Sequence, residues 1–163
     1  MLAVTSGSVT IYLVRHANAG SRSDWDGDDR DRPLNRKGDE QSEALRARYA
    51  DRPITRVLSS PAVRCQQTVH PLAHDHGLEV QLCDPLDEGS PADEGIALLR
   101  SLAATEAVLC SHGDVIPAIM RSLIDKGLPV DGGASASKAG VYEIETDGVD
   151  LVSATYVPPP PSD

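Results

Sequence analysis

Short β-branched runs alternate along this chain with longer stretches in which apolar residues recur at helical spacing. Val9 to Val14 (VTIYLV) lies between Gly7-Ser8 and the charged Arg15, and predicts a buried strand. Gly38 to Tyr49 (GDEQSEALRARY) is rich in good helix formers and is closed by Asp51-Arg52-Pro53, which predicts a first helix. Thr55 to Ser59 predicts a second strand. Pro61, at a first helical position, opens a second helix that Gly77 ends, and Pro71 inside it predicts a kink or a break. Leu78 to Leu82 is expected as a third strand, Pro91 to Ala104 as a third helix and Ala107 to Cys110 as a fourth strand. Asp114 to Lys126 follows as a fourth helix, with Pro117 tolerated in its first turn and Gly127 as its stop. Val141 to Thr146 and Leu151 to Val157 read as a strand pair joined across Asp147-Gly148. Four alternations of strand and helix imply an α/β fold: a mostly parallel central sheet flanked by helices on both faces, with a C-terminal antiparallel strand pair.

Length and charge narrow the function. A chain of 163 residues with 40% hydrophobic composition can bury one real core and is short for two domains. One domain is expected over residues 1–157, and 158–163 is a proline-rich tail whose Pro158 to Pro161 read as a solvated polyproline II stub. Lys and Arg number 15 against 25 for Asp and Glu, so the net charge is -10, the wrong sign for a partner such as duplex nucleic acid. A few convergent cations can still hold a small phosphate, because distant charge is screened beyond roughly 10 Å. The apolar start MLAVTSGSVTIYLV carries no basic leader and breaks at Arg15 and His16, well short of the roughly 20 residues that span a membrane. No membrane partner is expected. Cys65, Cys83 and Cys110 share no CxxC spacing and suit reduced thiols, which points to the cytoplasm.

Ligands of open parallel sheets bind beyond the carboxyl ends of the strands, and the candidate chemistry gathers there. Arg15 and His16 follow the first strand, Arg64 lies shortly after the second, Glu88 follows the third and His112 the fourth. Two guanidiniums match phosphate oxygens and stay charged at any working pH. Two imidazoles beside them offer a nucleophile and a second donor, and a carboxylic acid can protonate the leaving oxygen. Other clusters fit their chemistry less well. His70 and His74 have the i, i+4 spacing of a helical metal pair, but Pro71 lies between them and no third ligand is evident. Asp24, Asp26 and Asp28 begin like a calcium loop, yet position 6 is Asp29 instead of Gly and position 12 is Asn35 instead of Glu. A solvated loop laced with Arg22, Arg30 and Arg32 is the expected form of this segment, with Trp25 either stacking on a substrate base or folding back over the sheet. No metal and no cofactor are called for.

Four ordered segments resemble the histidine phosphatase, or phosphoglycerate mutase-like, superfamily. LVRHANAG (Leu13 to Gly20) is similar to its strand and RHG motif, with Ala17 in place of the usual Gly. RPLNRKGDEQSEAL (Arg32 to Leu45) resembles the stretch in which a glycine and a glutamine open the first helix. SSPAVRCQQT (Ser59 to Thr68) resembles the family's SSPxxRxxQT element, and CSHGDVI (Cys110 to Ile116) its second-histidine block. RHA and the short length are closest to the SixA-like branch of small phosphohistidine phosphatases, and the run from His16 through Gly38 is also similar to the phosphatase-like domain attached to some mycobacterial Nudix hydrolases. The resemblance implies that His16 becomes phosphorylated, that Arg15, Arg64 and His112 bind phosphate, and that Asn18 occupies a loop position of variable role near the substrate. Glu88 matches the place of the acid in many members, the SixA-like branch often lacks one, and Asp87 is the rival. The mutase pattern expects further glycine, tryptophan and acid residues where LDEG (Leu86 to Gly89) runs into SPADEG, so mutase activity is not expected.

The expected function is a metal-independent phosphatase acting through a phosphohistidine on His16. Its partner would be a phosphorylated small molecule or a phosphohistidine protein. The alternative is a phospho-ligand binding or regulatory domain of the same fold with little turnover.

Overall fold

Alternate side chains of the first strand enter two separate cores. In β1 (Thr10–Arg15), Ile11 and Leu13 belong to one and Tyr12 and Val14 to the other, all at 2% exposure or less. This is the mark of a strand covered on both faces. The computed structural model describes residues 8–161. Within them β1 sits inside a seven-stranded sheet with β2 (Arg56–Ser59), β3 (Val80–Leu82), β4 (Ala107–Ser111), β5 (Val130–Asp131), β6 (Val141–Thr146) and β7 (Leu151–Val157), in the order β3-β2-β4-β1-β6-β7-β5. β3, β2, β4 and β1 are mutually parallel. β6 runs antiparallel to β1 and to β7.

Helices α1 (Arg36–Arg48) and α2 (Val63–Asp75) cover one face, where Leu45, Val69, Leu72 and Ala73 pack on Tyr12, Val14, Val57 and Val108. Helices α3 (Ala92–Ser101) and α4 (Val115–Asp125) cover the other, through Ile96, Leu99, Ile116, Ile119 and Met120 against Ile11, Leu13, Leu58 and Leu109. The sandwich of two helical layers around a mostly parallel sheet is the architecture implied by the sequence.

Local expectations differ from the fold at several places. Pro61 is not the first residue of α2, because Ala62, extended at φ -64° and ψ 138°, is its N-cap, so that Arg64 becomes the helix's second residue. Pro71 does not break α2. The lost hydrogen bond costs about 3 kcal/mol, and Val69, Leu72 and Ala73, all buried on either side of it, hold the segment against the sheet. The third strand shrinks to a half-exposed edge, Leu78 instead completing the cap of α2 with its N–H on Ala73 O, while Gly77 takes φ +69°. The short β5, paired parallel to β7, has no counterpart in the sequence pattern. The hairpin between β6 and β7 turns over four residues, Asp147 to Asp150, with the Asp147 carboxylate accepting from Val149 and Asp150 N–H. Pro159 and Pro160 are half-buried, so the tail is not simply solvated there. Gly7, read as the boundary before the first strand, and the last two residues of the tail lie outside the described residues, as does the first half of the segment read for a leader.

Candidate active site

Parallel pairing carries the ends of four strands to one edge of the sheet. Arg15 is level with Ser111 and Ser59 with Cys110, and the ladder extends through His16 N–H to Ser111 O, Ser60 N–H to Cys110 O and Cys83 N–H to Ser59 O, at 2.9 to 3.0 Å. His16, Ser60 and His112 therefore emerge side by side although nearly a hundred residues separate the first from the last. The His16 and His112 rings stand edge to face, 5.4 Å between centroids.

His16 is 7% exposed, and its Nδ1 lies 2.8 Å from Ala17 O. A carbonyl oxygen only accepts, so Nδ1 carries the proton and Nε2 keeps a free lone pair. Burial lowers the pKa to about 3, and the nearby charges of His112, Arg64 and Arg15 act in the same sense against the bond to Ala17 O. The ring is neutral at pH 7. Its loop is pinned by Ala17 N–H on Thr68 Oγ1 and Asn18 N–H on Gln41 Oε1, one anchor from α2 and one from α1.

The two arginines are held at one end and open at the other. Arg15 donates from Nη1 to Ala136 O at 2.7 Å, and its guanidinium lies so close over Gly113 that a Cβ there would come within 2.7 Å of Cζ. Arg64, 2% exposed, donates from Nη1 to Asp29 O, and its Nη2 is 3.2 Å from Asp29 Oδ2 and 3.6 Å from Glu88 Oε1. The Nε of each is buried without a hydrogen-bond partner. Buried guanidinium donors left unmade are costly, and an anion between them would satisfy both.

His112, 2% exposed, holds Nε2 2.8 Å from Ser60 Oγ and Nδ1 3.4 Å from Arg64 Nη2; when the Ser60 hydroxyl donates to Nε2, Nδ1 carries the proton and can offer it to an anion beside Arg64. Ser60 in turn reaches Asp87 Oδ1 at 3.4 Å. Asp87 pairs with Arg30 at 2.8 Å and Glu88 with Arg22 at 2.8 Å. Asp29, Arg30, Asp87 and Glu88 line a cleft of about 300 Å³ together with Arg64, His112 and Asp114.

The segment expected as a solvated loop is thus clamped over the cleft by its own arginines. Arg32 is buried at 8% exposure, donating to Ala19 O and Gly20 O and bridging to Asp29. Although burial raises it, the Asp29 carboxyl is held below its ordinary value by Arg32, Arg64 and Arg22. Trp25 neither folds under the sheet nor lies in the cleft lining; it is 37% exposed and donates from Nε1 to Asp28 O. Asn18 turns its side chain to Asn35 Nδ2 and Gly20 N, within the loop.

Asp29, Ser60, Thr68, Gln41 and Gly113 were missed as parts of this site. Thr68 and Gln41 stand inside the quoted helical segments, one helical turn after Arg64 and after Gly38, a spacing that could have marked them. Nothing in the sequence pairs Asp29 with Arg64, 35 positions later. His70 and His74 stack at 6.2 Å on the exposed side of α2, and among the described residues no group of three His, Cys, Asp or Glu is placed to hold a metal. No helix among them is long and apolar enough to cross a membrane.

Comparison with known proteins agrees with this fold. The chain is 32% identical over 157 residues to the 8-oxo-(d)GTP phosphatase of Mycolicibacterium smegmatis, covering 93% of this chain and 48% of that one, so it spans about half the length of that relative. Among solved structures, protein histidine phosphatase SixA complexed with tungstate superposes with a TM-score of 0.68 at 19% identity, over 91% of this chain and 94% of that one. Phosphoglycerate mutase from Bacillus anthracis gives 0.69 at 16%, over 94% and 92%. The sequence model of the histidine phosphatase superfamily (branch 1) matches residues 11–93, from the first strand through Arg64 and Glu88, and this chain belongs to that superfamily.

Proposed function

We propose that the chain is a metal-independent phosphatase that passes the phosphoryl group of a small phosphorylated molecule or a phosphohistidine protein through His16. The observation that carries this reading is the His16 ring itself. Its Nδ1–H is committed to Ala17 O, and its free Nε2 is buried and neutral between two guanidiniums with unmade bonds. In the first step the Nε2 lone pair forms an N–P bond as the bond from phosphorus to the leaving group breaks, P–O in an ester or anhydride and P–N in a phosphohistidine. Arg15 and Arg64 hold the equatorial oxygens, and His112, braced by Ser60, adds a donor as charge builds there. In the second step water attacks phosphorus, the N–P bond breaks, and inorganic phosphate leaves with His16 restored.

The leaving oxygen must gain a proton or have its charge met. Glu88 and Asp87 are the carboxyl groups on that side of the cleft, and both are tied to arginines. Likeness to an 8-oxo-(d)GTP phosphatase favours a nucleotide over a phosphoprotein as substrate.

The test is hydrolysis of p-nitrophenyl phosphate in excess EDTA. Turnover is expected to survive the chelator and to vanish in His16→Ala, because two arginines supply the charge stabilisation a metal would give. Strict dependence on an added divalent ion, or full activity of the variant, would overturn the reading.

A further inference from the structure

The charges around His16 are not evenly spread. On the Arg64 side the cleft is lined by Asp28, Asp29, Asp87, Glu88 and Asp114, and Arg22, Arg30, Arg32 and Arg64 are spent on them. On the Arg15 side, Lys138 lies two residues beyond Ala136, whose carbonyl Arg15 binds, and Lys37 is near enough to Lys138 for their charges to interact. Among the described residues no carboxylate comes within ion-pairing distance of Arg15, Lys37 or Lys138, in a chain whose net charge is -10.

The backbone builds that side firmly. Lys138 precedes Ala139, whose N–H reaches both Arg15 O (3.0 Å) and His16 O (3.3 Å), while Arg15 N–H donates to Gly140 O and its side chain to Ala136 O. Ala139 takes φ +65°, a left-handed conformation that costs a non-glycine residue energy and persists where surroundings enforce it. Lys37 is in the first turn of α1, next to Gly38, which packs directly on Asn18 O. Lys138 thus flanks the nucleophile on one side of the His16 to Gly20 loop, and Lys37 on another. Burial, and then the charges of Arg15, Arg32 and Lys37, push the Lys138 ammonium below its ordinary value, as for cations gathered without a counter-ion.

We propose that Lys37 and Lys138, beside Arg15, form a subsite for a second phosphate of the substrate, so that the chain removes the terminal phosphoryl group from phosphoanhydrides of the nucleoside diphosphate class. The inference rests on the phosphatase reading of His16 and names its substrate. The His16 Nε2 lone pair forms the bond to the terminal phosphorus, and the bridging P–O bond breaks. Its electron pair stays on the penultimate phosphate, where the two ammonium groups meet the charge. Such a leaving group needs no protonated carboxyl, in keeping with Glu88 and Asp87 both being bound to arginines. An acidic cleft on the opposite side would repel the second phosphate and so fixes the direction in which the substrate lies.

The experiment compares guanosine 5′-diphosphate with p-nitrophenyl phosphate on wild type, Lys138→Ala, Lys37→Ala, Lys138→Arg and the remote control Lys126→Ala. Each loss of a charge-assisted contact is expected to lower the ratio of kcat/KM for diphosphate over p-nitrophenyl phosphate by roughly tenfold or more, with substantial recovery in Lys138→Arg and no change in the control. Calorimetry with methylenediphosphonate and inorganic phosphate supplies a readout free of turnover: wild type should prefer the diphosphonate, and Lys138→Ala should lose that preference. An unchanged ratio in both lysine variants, or a wild type that turns over p-nitrophenyl phosphate but neither hydrolyses the diphosphate nor prefers the diphosphonate, overturns the subsite. Diphosphonate preference lost in Lys138→Ala, in a protein that hydrolyses neither substrate, would uphold the subsite and instead sink the phosphatase reading.

Discussion

A histidine that attacks phosphorus must be neutral and must present one particular nitrogen, and at His16 a carbonyl oxygen and burial fix both. The protonation has a consequence for stability. With the folded pKa lowered to about 3 against an ordinary 6.5, the unfolded chain binds a proton between those values that the folded chain does not. Stability contributed by this site is therefore lost as pH falls below 6.5, at up to about 1.4 kcal/mol per pH unit. Urea unfolding of wild type and His16→Gln between pH 7.5 and 4.5 should show a steeper loss of stability in the wild type, the difference between the two profiles being the contribution of His16; parallel pH profiles would mean that the ring titrates normally. Gly113 is a second residue whose role is geometric. A methyl group there would meet Cζ, Nη2 and Nε of Arg15 at 2.7 to 2.9 Å, all movable atoms. Gly113→Ala should fold nearly normally yet lose about 1 to 3 kcal/mol of transition-state stabilisation, seen as a fall in kcat/KM. Neither the pK shift nor this contact was legible in the sequence, which places Arg15, His16 and His112 at strand ends but cannot say what lies over Gly113.

Elements whose pattern depends on burial were the ones the sequence foretold best. β1 and β4 are buried on both faces and read as unbroken apolar runs, and α1 shows its helix formers and its stop. α2 was placed one or two residues early, since a proline's preference for a first helical turn yielded to the extended Ala62. β3 and β5 were misjudged or unseen because an exposed edge of two or three residues carries no period. The clamp of residues 22 to 32 was hidden for a different reason: mixed charges announce ion pairs without naming partners. That clamp places the Asp29 carboxylate where it competes with a phosphate for Arg64. Asp29→Asn should free the guanidinium and strengthen inhibition by inorganic phosphate several-fold; weaker inhibition would mean that Asp29 serves to aim Arg64 instead. Gly38→Ala tests the packing of α1 under the nucleophile loop. Its Cβ would collide with the backbone oxygen of Asn18, which cannot swing aside, and a thermal unfolding midpoint close to that of wild type would show that this contact is dispensable.

At the scale of the molecule, a parallel sheet gathers residues from four strand ends onto one edge, and Arg15, Lys37 and Lys138, with no carboxylate in ion-pairing distance among the described residues, stand beside the His16 loop. The total charge, read from composition, conceals this asymmetry, which exists only after the 133 to 140 loop wraps Arg15. The proposed mechanism runs through a covalent intermediate at a single nitrogen. The direct measurement is acid-free quenching of the protein during turnover of a ³²P-labelled substrate, followed by peptide mapping. The label is expected on the peptide containing His16, stable to alkali and lost in acid as a phosphoramidate is, and absent from His16→Ala, while that variant still binds inorganic phosphate through Arg15, Arg64 and His112. Label on any other residue, or turnover that persists in His16→Ala, would contradict the account.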